Sequence, residues 1–223
     1  MNGPKARLDL LHSSILSRVV GYLGPWDIEV LSCVNKRLRA ASLPVLFRAV
    51  KFEFSKTGLN GLKRLSGSDI RQYVVSLTYV APEILKPEIL NFESFGSEIL
   101  TPDDYVDCVF GRDSFLCEFP SYMLAYDVLR DICEEQRNIV GSDLERIALS
   151  SIFTEFPTLE SLNVWFCRTI EEEEWIESVL ARGLTTEESR EYYYDAIRNA
   201  IKVARESGSI RNSICLSYTE LPT

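Results

Sequence analysis

The chain has 223 residues, 46% hydrophobic and 26% charged, enough to bury a sizeable core and too near the globular average for a disordered or fibrous design. Its apolar runs last only a few residues, far short of the roughly 20 a membrane helix needs, and its first ten residues hold no secretory apolar stretch, so cytosol or nucleus is the expected compartment. The net charge of −9 is uneven: residues 1–51 carry eight Lys/Arg against three Asp/Glu, a balance of +5, leaving −14 for the rest, which argues against nucleic acid as a partner of the larger part.

In chain order, Leu11 to Leu23 comes first. At 100° per residue, Leu11, Ile15, Leu16, Val19, Val20, Tyr22 and Leu23 fall on one half of a helix. That arc is wider than an ordinary surface helix shows, and predicts apolar contact on two sides. Gly24-Pro25 breaks the helix, Asp27 is placed to cap a second over 27–33, Asn35 to cap a third over 35–43, and Pro44 to end it. Apolar residues make up 22 of the 40 positions from Leu8 to Phe47, more than three short helices can hide, so a partner or the rest of the chain must cover some of them.

Farther on, spacing predicts helices over 57–66 and 102–109, the latter capped by Thr101, and a longer one from Ser121 to Val140 with Leu124, Val128, Leu129, Ile132, Cys133, Gln136 and Ile139 inward. Ser142-x-x-Glu145 reads as a capping box opening a helix to Phe153, and Thr185-x-x-Glu188 as another opening one to Ser207, with Tyr193 and Ile197 inside. Glu171–Glu174 is expected to form the first turn of a helix carrying Trp175, Ile176, Val179 and Leu180. Strands are predicted at 73–80, 159–165 and 213–218, and most of 81–119 as loop.

Leu159-x-x-Leu162-x-Val164-x-x-Cys167 matches four of the five fixed positions of a leucine-rich repeat; Val74-x-x-Leu77-x-Tyr79 and Ile214-x-Leu216 echo it. The echoes lie farther apart than the 20–29 residues of a regular repeat. An irregular α/β repeat stack and a generic α+β domain therefore both stay open.

Catalysis has little support, because a Ser–His or Cys–His site would have to use His12, the sole histidine. Asp103, Asp104 and Asp107 read as helix-start acids before they read as metal ligands. The cysteines at 33, 108, 117, 133, 167 and 215 lack paired spacing and read as buried thiols. No metal, cofactor or nucleotide site is expected.

The segment LHSSILSRVVGYLGPWDIEVLSCVNKRLRAASLPVLFR resembles an F-box. Leu11 stands at the family's opening Leu, Ile15, Leu16, Val19 and Leu23 at its first-helix positions, Asp27 at the loop Asp, and Leu31, Val34 and Leu38 at the later apolar positions. His12 replaces the usual Pro. The resemblance implies a fold that is α+β to mostly α: a three-helix F-box over 1–51, then an irregular leucine-rich-repeat-like domain over 52–223 with few short strands, similar to F-box proteins numerous in filamentous fungi. It implies that Leu11, His12, Ile15, Leu16, Val19, Val20, Leu23, Pro25, Asp27, Leu31, Val34 and Leu38 meet a Skp-type adaptor. A cullin–RING ubiquitin ligase is reached through that adaptor, a protein substrate binds the second domain, and the chain does no bond chemistry. The contrasting expectation is a scaffold whose first helices pack on its own later region.

Overall fold

The computed structural model describes residues 8–110, 119–207 and 214–220; the expected strand start at Ser213, the helix end at Gly208 and Cys117 lie outside them. After a 3₁₀ turn at Leu8–Leu10 come α1 (Ser13–Val20), α2 (Pro25–Val34) and α3 (Lys36–Leu46). α1 is shorter than its apolar arc because His12 caps one end and Gly21 closes the other. Asp27 does not cap α2. Gly24 is the N-cap and Pro25 takes the first helical position, where a missing N–H costs nothing, which puts Asp27 in the first turn near the positive end of the helix dipole. Asn35 does cap α3, accepting the Leu38 N–H at 2.9 Å. Pro44 does not stop α3, which runs on to Leu46; in the last turn its missing N–H disturbs only the helix end. These helices have their own small core of Leu16, Val20, Ile28 and Leu38, with Leu8, Leu11, Leu23, Leu31, Ala41 and Leu46 packed around it.

The chain continues through β1 (Ala49–Glu53), α4 (Lys56–Ser66), a 3₁₀ turn at Asp69–Tyr73 and β2 (Ser76–Pro82). The stretch expected to be loop then holds a 3₁₀ turn (Pro87–Leu90), α5 (Phe92–Ser94) and a π-turn (Phe95–Ile99) before α6 (Pro102–Phe110). After α7 (Tyr122–Val140) and α8 (Leu144–Glu155) come β3 (Ser161–Cys167), α9 (Glu174–Leu180), α10 (Ser189–Glu206) and β4 (Cys215–Glu220). The protein is mixed α/β and mostly helical, with one wholly parallel sheet in the order β1-β2-β3-β4. β1 has no counterpart among the predicted strands, and residue 51 lies in its middle.

Strand register explains the sequence echoes. Val50, Leu77, Leu162 and Leu216 stand in one row across the sheet, and Phe52, Tyr79, Val164 and Tyr218 in the next. α4, α8 and α10 pack side by side, and the large core joins these rows to Leu59, Leu62, Leu149, Ile152, Tyr193 and Ile197 from those helices. A second core gathers Leu85, Ile89, Phe95, Leu100, Tyr105 and Leu129 with Trp175, Ile176 and Val179 of α9. Of the inward residues expected on α7, Leu129, Cys133, Gln136 and Ile139 are buried, but Leu124 is exposed.

Neither predicted capping box forms. Asp143, not Ser142, precedes α8, and its side chain makes no cap bond. Glu145 instead turns into the core, 2% exposed, where its carboxylate accepts the Tyr79 hydroxyl at 2.6 Å and the Tyr192 hydroxyl. α10 begins at Ser189, whose hydroxyl donates to the Thr186 carbonyl at 2.8 Å and accepts the Ile84 N–H at 2.9 Å. Gln136 of α7 likewise accepts the Leu85 N–H at 2.8 Å and donates to the Glu83 carbonyl at 3.1 Å. Buried backbone groups must be paired, and these two side chains do so where β2 leaves the sheet. α9 starts at Glu174, so Glu171 and Glu172 precede the helix instead of forming its first turn.

Two measurements test this packing. A Cβ on Gly58 would stand 2.3 Å from the Glu53 carbonyl oxygen, whereas one on Gly61 meets nothing within 4 Å. Gly58→Ala should therefore cost about 1–3 kcal/mol as overpacking, or roughly 2–12 °C in Tm, while Gly61→Ala gains up to about 1 kcal/mol of helix propensity. Thermal unfolding of both variants checks the contrast.

Burial raises the Glu145 carboxyl pKa, and the two tyrosine bonds only partly oppose that. A raised carboxyl means folding favours the protonated form: its stabilisation is complete below the ordinary glutamate range and is lost as pH rises through the raised value. Glu145→Gln should remove this pH dependence and match or exceed the parent at about pH 8. Glu145→Ala should lose about 1–3 kcal/mol by stranding buried hydroxyls. Urea denaturation at about pH 5 and about pH 8 separates the two outcomes.

Candidate protein-binding interface

α2 is apolar on more than one side. Ile28 is its one fully buried residue, and Leu31 and Ser32 lie half-buried beside it. On the opposite side Trp26, Val30 and Val34 follow at four-residue spacing, 75%, 53% and 63% exposed, with Cys33 exposed next to them. Residues four apart on a helix are neighbours, so these side chains make one row facing water. Tyr22 and Leu10 are also largely exposed. An exposed apolar row on a helix with a core behind it is a candidate binding face.

The twelve residues implicated by the sequence divide into three groups. Leu16, Val20 and Leu38 are inside, at 4% exposure or less; their anticipated direct contact with a partner gives way to a core role, because α1, α2 and α3 close over the centre of the apolar arc. Leu11, Val19, Leu23 and Leu31 are half-buried, and all but Val19 pack on that core. His12, Ile15, Pro25, Asp27 and Val34 are exposed. Trp26, Val30 and Tyr22 lie outside those twelve, and the surplus of apolar residues over 8–47 is the sequence signal that corresponds to them.

Charged residues are exposed on the same three helices. Asp27 and Glu29 of α2 and Arg18, Lys36, Arg37 and Arg39 of the flanking helices are exposed. The Arg37 guanidinium donates to the Leu11 carbonyl and so ties α3 to the start of α1. His12 accepts the Ser14 N–H through Nδ1 at 3.4 Å, and the same nitrogen lies 2.9 Å from the Ser14 hydroxyl. Both groups are exposed and engaged in capping α1, and among the described residues no third side chain orients the ring in the way a nucleophile–base pair requires.

The other sites considered from sequence also resolve. Thr101 caps α6, taking the Asp104 N–H at 3.1 Å and donating to the Asp104 carboxylate at 2.6 Å. Among the described residues no three His, Cys, Asp or Glu side chains group as metal ligands. Cys108 and Cys133 are buried as expected, but Cys33 and Cys215 are exposed and Cys167 is intermediate. Burial pushes the Cys133 and Cys167 thiols up to about 11, so neither is an activated nucleophile. Among the described residues no helix is long and apolar enough to cross a membrane.

No family model matches the chain, and no match was found among curated proteins or solved structures.

The division between core and face has a direct check. Val20→Asp places a charge in the core of the first three helices and should unfold them, whereas Val30→Asp, on the exposed row, should leave the far-ultraviolet circular dichroism and Tm near those of the parent. Equal behaviour of the two variants contradicts the assignment.

Proposed function

We propose that the protein is a substrate-receptor subunit of a Skp–cullin–F-box ubiquitin ligase. In this reading α1–α3 are the F-box and dock a Skp-type adaptor, the adaptor brings a cullin, and the sheet with its helices is an irregular leucine-rich-repeat-like domain that holds a protein substrate. The chain itself makes and breaks no bonds, and it works in the cytosol or nucleus without nucleic acid or membrane as a partner.

The observation that carries this reading is the water-facing row Trp26–Val30–Val34 on a helical unit that has its own core. The F-box-like spacing of the same segment gives the row a partner class. Covering it with an adaptor helix would yield roughly 25 cal/mol per Å² of apolar surface, less the costs of association. The excess of basic over acidic residues in 1–51 would speed encounter with an acidic adaptor more than it tightens the complex. A parallel sheet in sequential strand order, with Leu77, Leu162 and Leu216 in register, suits a short repeat stack.

The scaffold reading also has an observation behind it. α3 packs on the Asp69–Tyr73 turn, and the Arg48 carbonyl accepts the N–H groups of Val75 and Ser76 at 2.9 and 3.0 Å. The first helices are thus fastened to the later region. Recovery of a purified Skp-type adaptor on the immobilised full chain decides between them. The parent should retain the adaptor and the double variant Trp26→Asp/Val30→Asp should lose it by about tenfold or more. No capture by the parent favours the scaffold, and equal capture by both removes the α2 row from the interface.

A further inference from the structure

Where β2 and β3 leave the sheet, an open cleft lies between the two cores. In open parallel sheets ligands bind outside the carboxyl ends of the strands. Its floor is apolar: Phe54 from the large core, Leu85, Leu129 and Leu180 from the second, and the half-buried Ile132 and Ile170. Its walls carry the carboxylates of Glu83, Glu135 and Glu171 against one cation, Arg168. That cation is directed elsewhere, toward Glu177 at 3.8 Å.

The carboxylates are not equivalent. Glu83 accepts the Thr185 hydroxyl at 2.8 Å, and Glu135 accepts the Lys56 N–H at 2.7 Å. Glu171 is exposed and has no ion-pair partner among the described residues, while Glu53 is held by Lys51 at 3.1 Å and Glu173 takes the Trp175 indole N–H at 3.2 Å. Partial burial and then the nearby carboxylates of Glu173, Glu135 and Glu53 push the Glu171 carboxyl up. Glu83, Glu135 and Glu171 thus line one cleft, and among the described residues no cation pairs with Glu171.

We infer that this cleft takes a basic side chain of a bound protein, a guanidinium or ammonium carried on an apolar stem, with the stem on Leu85, Leu129 and Ile132 and the charge between Glu135 and Glu171. Long cationic side chains are built for such a site, apolar along the stem and charged at the tip. The surrounding region, at −14, would draw a basic segment in and turn an acidic one away. That the occupant belongs to a substrate rests on the receptor reading; the preference of the cleft for positive charge does not.

The test uses the full chain without adaptor and a fluorescein-labelled peptide, Gly-Ala-Leu-Arg-Leu-Ala-Gly, against the same peptide with glutamine in place of arginine. Fluorescence anisotropy should show the arginine peptide binding about tenfold more tightly, with the advantage shrinking as salt rises. Glu135→Gln/Glu171→Gln keeps an oxygen for the Lys56 N–H and should abolish that advantage while leaving Tm and adaptor capture unchanged. Equal binding of the two peptides, no binding of either up to about 1 mM, or an arginine preference that survives the double variant overturns the proposal. Because no adaptor is present, such a result leaves the receptor reading untouched, and loss of adaptor capture by the parent leaves the cleft untouched.

Discussion

One buried carboxylate holds the centre of the larger core. Glu145 enters from α8 and is bound by a hydroxyl from β2 and another from α10, so three segments distant in sequence meet on a single acid. The surroundings are aromatic: Tyr79 stacks on Phe52 at 4.8 Å, and Tyr193 meets both Tyr79 and Phe54 edge-on. A charge in such a place is costly; the two hydroxyls answer both oxygens but offset that cost only in part. The arrangement leaves little freedom in the order of the layers, because displacing α8 or α10 would strand a hydroxyl or the acid. Ser189 and Gln136 apply the same logic at the margin of the sheet by pairing backbone groups that the strands have released.

The first three helices obey a different balance. Four fully buried apolar side chains are a modest core, and a unit of this size gains part of its stability from what it leans on. α3 leans on the turn before β2. On the outer side of α2, Trp26, Val30 and Val34 face water. That contrast separates the apolar surface the three helices bury among themselves from the row they leave in water.

How much of this could be read beforehand depended on the range of the interaction concerned. Helices with four-residue apolar spacing, such as α7 and α10, and the Thr101 and Asn35 caps rest on neighbours within a turn and were legible. The rows Leu77–Leu162–Leu216 and Tyr79–Val164–Tyr218 were visible as faint echoes, though their alignment across the sheet was not. β1 is not legible because its five residues Ala49–Glu53 offer only Val50 and Phe52 as core positions, too short a run to read as a strand. The Ser142 motif forms no box because Glu145 is bound by tyrosines 66 and 47 positions away, and the Thr185 motif forms none because the Thr185 hydroxyl donates to Glu83. For the candidate interface, the surplus of apolar surface was evident but its location was not. The middle of the α1 arc is the part its own neighbours cover first, and the remainder fell to α2.

The passage from α3 into β1 spends only Phe47 and Arg48, and the second of these is already fixed by two backbone bonds to the start of β2. So short a joint, tied at Arg48 to the start of β2, leaves little room to bend. The exposed row on α2 and the open end of the sheet are therefore carried at a set angle, like two fittings on one bracket.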